Sequence, residues 1–179
     1  MSKVILDSKA FQNTIDKISK DIFNENKNVN KLAVVGVQKK GVFLAKKILA
    51  SVVKLANINE TQIPFGTLDI TLYRDDLDNF DQNMPVIKDT VVPFDMNCKN
   101  IILIDDVLYT GRTVRAALNV LMNFGRPESI QLAVLVDRGF RELPIEAKYV
   151  GVKYKSKEFI KVECEEMDGI DKVTVSYKK

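Results

Sequence analysis

Apolar positions change rhythm several times along this chain, and each change predicts an element. Phe11, Ile15, Ile18 and Ile22 recur at helical spacing behind Asp7 or Ser8, either of which can cap the helix. Asparagine-rich sequence ends that helix near Asn28. Leu32–Val37 is a continuous apolar run, the pattern of a strand buried on both faces. Gln38-Lys39-Lys40-Gly41 follows, and Leu44, Ile48, Val52 and Leu55 then mark one face of a second helix. Gly66–Tyr73 alternates apolar and polar residues, a strand signature. After the polar stretch Asp78–Asn83, β-branched residues return over Met84–Phe94. Together these two segments predict a flexible hairpin with a long tip, and long loops in compact domains often act as active-site lids.

The second half repeats the strand–loop–helix rhythm. Ile101–Ile104 is a buried-strand run that two acids, Asp105 and Asp106, are expected to end. Tyr109-Thr110-Gly111-Arg112-Thr113 leads into an apolar helical run, Val114–Met122, stopped by Gly125 and Pro127. Ile130–Val136 predicts another buried strand, running into Asp137–Pro144, and Tyr149–Tyr154 predicts a further one. Phe159–Val162 and Val173–Tyr177 read as short edge strands. Alternating strands and helices mean an α/β fold with a largely parallel sheet, whose ligands sit at the carboxyl ends of the strands. The three polar loops at Lys39–Gly41, Asp105–Thr113 and Asp137–Arg138 all fall at such ends. The whole chain, 1–179, reads as one domain, with no repeat, linker or low-complexity segment.

Composition narrows the chemistry. The net charge of +3 suits an anionic ligand without demanding nucleic acid. The chain has no histidine, which removes Ser-His and Cys-His catalysis and histidine-ligated metals. Acid–base or metal work must then fall to Asp, Glu, Lys or Tyr. Two cysteines without CxxC spacing suggest neither a disulfide framework nor a zinc site. No secretion leader and no 18-residue apolar span is apparent, so a soluble, cytoplasmic protein with no membrane partner is expected.

The strand-to-helix loops carry the candidate site. Loop N–H groups and a helix N-terminus can hold a phosphate, and Thr110 and Thr113 add hydroxyl donors. Asp105 and Asp106 can take ribose hydroxyls or a metal held through water. Lys39 and Lys40, with Gly41 allowing close approach at a helix start, could hold a pyrophosphate. No GxxxxGK[ST] occurs, so this is not a Walker loop.

The string IILIDDVLYTGRT resembles the phosphoribosyl-pyrophosphate (PRPP) motif of the type I phosphoribosyltransferases. GTLDITLYRDDL, IILIDDVLYTGRTVRAAL and GRPESIQLAVLVDRGFRELPIEAKYVG carry the similarity over nearly the whole chain. They narrow it to the branch that joins uracil phosphoribosyl transfer to control of pyrimidine operons. The resemblance implies the type I phosphoribosyltransferase fold: a mostly parallel sheet flanked by helices, a flexible hairpin and a small hood over the base. It implies the reaction of uracil with PRPP to give UMP and pyrophosphate, with Mg²⁺ as cofactor. Lys39, Lys40 and Gly41 would form the pyrophosphate loop, and Arg74 would lie near the pyrophosphate or a subunit boundary. Asp105 and Asp106 would be the catalytic and metal-binding acids on the ribose. Val107 and Leu108 continue into Tyr109, Thr110, Gly111, Arg112 and Thr113, which would cradle the 5′-phosphate. Asp137 and Arg138 would meet the base. Purine relatives carry an aspartate where Tyr109 stands, and tyrosine is a poor general base at neutral pH. Uracil is therefore the expected base, with a purine as the alternative.

The same resemblance implies a homo-oligomer, dimer or tetramer, and an operon leader RNA as partner. Its basic face would contain Lys17, Lys20, Arg138 and Arg141, remote from the PRPP loop, with Glu146 in its middle. Relatives read DRGHRELPIRADYVGKN here. In this chain Phe140 replaces a histidine, Glu146 an arginine and Val152 a lysine, which weakens that face and leaves an enzyme without RNA binding as a second alternative. The PTS triplet usual after the hood strand is also missing, with Tyr154-Lys155-Ser156 in its region.

Overall fold

The computed structural model describes residues 2–71 and 90–177. Arg74 and the expected hairpin tip lie outside the described residues. The chain runs β1 (Ser2–Leu6), α1 (Ser8–Glu25), β2 (Leu32–Val37), α2 (Lys40–Ala56), β3 (Phe65–Leu68) and β4 (Asn100–Leu108). It continues through α3 (Arg112–Leu121), β5 (Ser129–Asp137), β6 (Tyr149–Lys153), β7 (Phe159–Glu163), α4 (Glu165–Asp168) and β8 (Lys172–Ser176). Five strands pair in parallel in the order β3-β2-β4-β5-β6, and β1, β8 and β7 form a separate antiparallel sheet.

Burial explains the layers. Every residue of β2 is buried, as its apolar run requires of a strand covered on both faces. Leu32 and Val34 join one core with Phe11, Ile15, Ile18 and Ile22 of α1, Leu44 and Ile48 of α2, and the small sheet. Ala33, Val35 and Val37 join a second core with Val114, Ala117 and Leu121 of α3. Asp7 caps α1 as expected, its carboxylate accepting from the Ala10 N–H at 2.8 Å. The small sheet is the hood. Lys47 of α2 fastens it, donating to Asp171 at 2.9 Å and lying 3.1 Å from Glu166.

Four expectations are corrected. The acids do not end β4, because Asp105 pairs with Val134, Val107 with Val136 and Leu108 with Asp137. The expected strand Gly66–Tyr73 ends at Leu68, where the Asp69 carboxylate accepts from the Thr71 N–H at 2.7 Å and closes a turn. Its hairpin partner is present in the described residues as one antiparallel bridge, Thr67 to Val91. The last strand is no edge, since β8 lies between β7 and the unforeseen β1.

Candidate active site

Chain order reverses between β2 and β4, so the loops leaving those two strands open beside each other at the sheet's carboxyl end. A cleft of about 640 Å³ lies there. Its wall takes Gln38, Lys39 and Lys40 from the β2 loop, Asp69–Thr71 from the β3 end, and residues 105–114 from β4 into α3. Arg138 and, from the hood, Phe159 and Ile160 complete it. The structure thus brings together the two lysines, both acids, Tyr109–Thr113 and Arg138. Gly41 and Asp137 are not on the wall.

Both acids bend back on their own strand. The Asp105 carboxylate accepts from the Asp106 N–H at 3.0 Å, and Asp106 accepts from the Val107 N–H at 2.8 Å. Val107 packs against the same core as Ile104, and pairing with β5 continues in one register through the acid pair. Asp105 is only 6% exposed, while Asp106 is half-buried. Hard carboxylate oxygens of this kind fit a divalent cation that keeps its waters and takes further oxygens from a phosphate. Among the described residues no group of three or more His, Cys, Asp or Glu could hold a metal by itself.

Glycine sets the distance between the two loops. A Cβ on Gly41 would stand 2.6 Å from the Ile104 carbonyl oxygen and 3.2 Å from Asp105 Cα. Gly41 is therefore the contact that lets the start of α2 rest on β4, where a ligand-facing role was expected. The two lysines before it diverge. Lys39 is exposed at the cleft mouth, and the peptide joining it to Gln38 is cis. Lys40 reaches to the hood, donating to the Val162 carbonyl with Asp168 3.8 Å away.

The β4–α3 loop is laced to the β5–β6 loop. Thr110 O accepts from the Glu142 and Leu143 N–H groups at 3.0 and 3.1 Å, and Leu108 O accepts from the Arg138 N–H at 2.9 Å. Gly111, with φ of 95°, makes the left-handed turn into α3. Arg112 meets Glu142 at 2.7 Å on the surface. Asp137 accepts from Arg141 at 2.7 Å and from the Gly139 N–H at 2.9 Å, which turns it into its own loop and away from the expected base contact.

The Arg138 guanidinium lies 3.9 Å from the centre of the Tyr109 ring and donates from Nε to Ser156 O at 2.8 Å. The Phe140 ring meets Tyr109 edge-on at 6.4 Å. The four residues expected on a remote basic face are divided. Lys17 and Lys20 are exposed on α1, with Lys17 Nζ donating to Val150 O at 3.1 Å. Arg138 lines the cleft, and Arg141 holds the loop beside it. Glu146 lies with Val114 and Leu118 of α3, on the face of the sheet opposite α1.

Sequence reasoning missed seven wall residues: Gln38, Asp69, Ile70, Thr71, Val114, Phe159 and Ile160. The Asp69-x-Thr71 pair carries an Asx-turn signal that breaks the strand alternation. Phe159 is 63% exposed at the start of β7, and its place over the cleft depends on the hood, which no local pattern reveals.

Residues 1–167 match the family model described as phosphoribosyl transferase domain. The chain belongs to the phosphoribosyltransferase family. Within that family it is 70% identical over 174 residues to the protein of Endomicrobium trichonymphae named bifunctional protein PyrR, covering 97% of this chain and 98% of the relative. The bifunctional protein PyrR of Halalkalibacterium halodurans is 47% identical over 181 residues, covering 99% of each chain. The fold recurs in the hypoxanthine phosphoribosyltransferase of Trypanosoma cruzi, with a TM-score of 0.72 at 15% identity over 97% of this chain and 95% of the other. It recurs too in one from Staphylococcus aureus, with a TM-score of 0.68 at 20% identity over 98% and 92%. These two likenesses speak for the fold alone. The chain is thus a PyrR-type member of the type I phosphoribosyltransferases.

Proposed function

We propose that the chain is a uracil phosphoribosyltransferase, converting uracil and PRPP to UMP and pyrophosphate, and that it also binds pyrimidine-operon leader RNA in a UMP-dependent way. The carrying observation is the Asp105–Thr113 segment, which sets two carboxylates, a loop and a helix N-terminus along one wall of a single cleft. The loop and the first turn of α3 receive the 5′-phosphate. Asp105 and Asp106 bind the ribose hydroxyls, and Lys39 draws charge from the leaving pyrophosphate. The C1′–O bond to pyrophosphate breaks as uracil N1 joins C1′ and gives up its proton to the departing pyrophosphate, through an oxocarbenium-like state that positioning and charge stabilisation carry. Asp105 and Asp106 would hold Mg²⁺, which would supply further charge neutralisation. The exposed Phe159 ring and the Arg138–Tyr109 stack offer a place for a flat base at the hood side. Tyr109 has no carboxylate to act on a purine ring nitrogen, so the base is a pyrimidine.

Among the described residues no helix is long and apolar enough to cross a membrane, and both cysteines are free thiols. From its family resemblance we read the chain as a cytoplasmic homo-oligomer. Two observations favour an enzyme without RNA binding: Arg141, expected on the RNA face, is spent on internal carbonyls, and Glu146 stands where the family resemblance implies an arginine. A base panel tests the catalytic reading. With PRPP present, uracil should turn over while hypoxanthine, guanine and orotate stay at background. Comparable turnover with a purine would overturn the Tyr109 argument.

A further inference from the structure

We propose that Arg141 is a positioning residue for phosphoribosyl transfer, one that aims the backbone N–H groups of the phosphate loop through the carbonyls it holds. The inference rests on the proposed use of that loop for the 5′-phosphate.

The Arg141 side chain is only 22% exposed, and its donors are distributed over three segments. Nη1 donates to Tyr109 O at 2.9 Å, Gly139 O at 3.2 Å and Leu108 O at 3.4 Å. Nε donates to Ile145 O at 2.9 Å, and Nη2 donates to Asp137 Oδ1 at 2.7 Å. The end of β4, the end of β5 and the far side of the β5–β6 loop thus meet at one side chain. Five donors in a rigid plane can span such a set, and a lysine ammonium, whose donors share one nitrogen, cannot.

The consequence for the cleft follows from peptide geometry. In a trans, planar peptide the C=O and the following N–H point in opposite directions. Arg141 holds Tyr109 O toward the β5–β6 loop, which leaves the Thr110 N–H directed the other way. The Glu142 and Leu143 N–H groups hold Thr110 O on that same side, which directs the Gly111 N–H away from it as well. Thr110 and Gly111 both line the cleft. Two adjacent N–H groups are thereby fixed as anion donors before a phosphate arrives, and preorganisation of this kind is what makes such donors effective.

Arg141→Lys and Arg141→Met decide it, measured as kcat and KM for each substrate, as PRPP affinity by calorimetry and as melting temperature. Both variants should raise the KM and the dissociation constant for PRPP by about tenfold or more, as expected for misplaced binding groups, while KM for uracil moves less than about twofold. The lysine variant keeps the charge beside Asp137 and so folds even where the methionine variant fails. Unchanged PRPP constants would overturn the proposal. So would KM values for PRPP and uracil that rise together as the melting temperature falls, since that marks a purely structural role. If the wild type binds PRPP but makes no UMP, the substrate reading fails, and the PRPP affinities of the variants still decide the role of Arg141.

Discussion

Gly41 and Ile104 touch through their backbones: a Cβ added to Gly41 would lie 2.6 Å from the Ile104 carbonyl oxygen. This contact fixes how closely the lysine loop approaches the acid pair, because Lys39 and Lys40 directly precede Gly41 and Asp105 directly follows Ile104. Gly41→Ala forces α2 away from β4, since the atom it meets is backbone. The variant should lose about 1–3 kcal/mol of stability, the usual cost of overpacking, and its kcat should fall further than the stability loss explains. Urea titration beside steady-state rates checks this.

The two thiols should behave oppositely. Cys164 is completely buried, and burial, with Asp171 nearby, pushes its thiol up to about 12. Cys98 is exposed. Iodoacetamide at mildly alkaline pH should therefore label native protein once, at Cys98, and reach Cys164 only after unfolding. The folded state holds the Cys164 proton more tightly than the unfolded chain, whose ordinary value is 9.0. Stability from this group is thus fully present below pH 9.0 and is lost as pH rises toward about 12. Chemical denaturation at stepped alkaline pH should show that decline, and a Cys164→Ala variant should show less of it.

RNA binding should depend on α1. Lys17 and Lys20 are three residues apart and exposed together, well placed for phosphates, whereas Arg141 has its donors engaged internally. In the double variant Lys17→Glu, Lys20→Glu, leader RNA should bind about tenfold or more weakly, with a shallower fall in affinity with salt. UMP formation should stay at the wild-type rate. Gel-shift titration across a salt series reads both the affinity and the slope.

Much of the fold was legible because its strands are buried on both faces. The bounds of β2 match its apolar run residue for residue, and the cap at Asp7 follows directly from its side-chain chemistry. The acids misled at β4, since carboxylates look like strand terminators while ladder pairing with β5 carries the strand to Leu108. β1 was hidden for another reason. Its apolar part is only Val4–Leu6, too short to mark a strand by itself, and it pairs with β8, with Ser2 beside Ser176. The same holds for the site. Asp105–Thr113 was legible as one contiguous string, whereas Phe159 and Asp69 reach the cleft only through tertiary placement. Arg141 read as a surface cation from its sequence, and only the surrounding carbonyls reveal its role.

The most direct test is UMP formation from uracil and PRPP by the wild type and by Asp105→Asn with Asp106→Asn. Asparagine keeps an oxygen to accept the Asp106 and Val107 N–H groups, so circular dichroism and the melting temperature should change little. The wild type should make UMP and pyrophosphate in equal amounts. The double variant should fall by about a hundredfold or more, as expected when charge stabilising the transition state is removed. A wild type that forms no UMP, or a folded double variant with near wild-type turnover, would contradict the account.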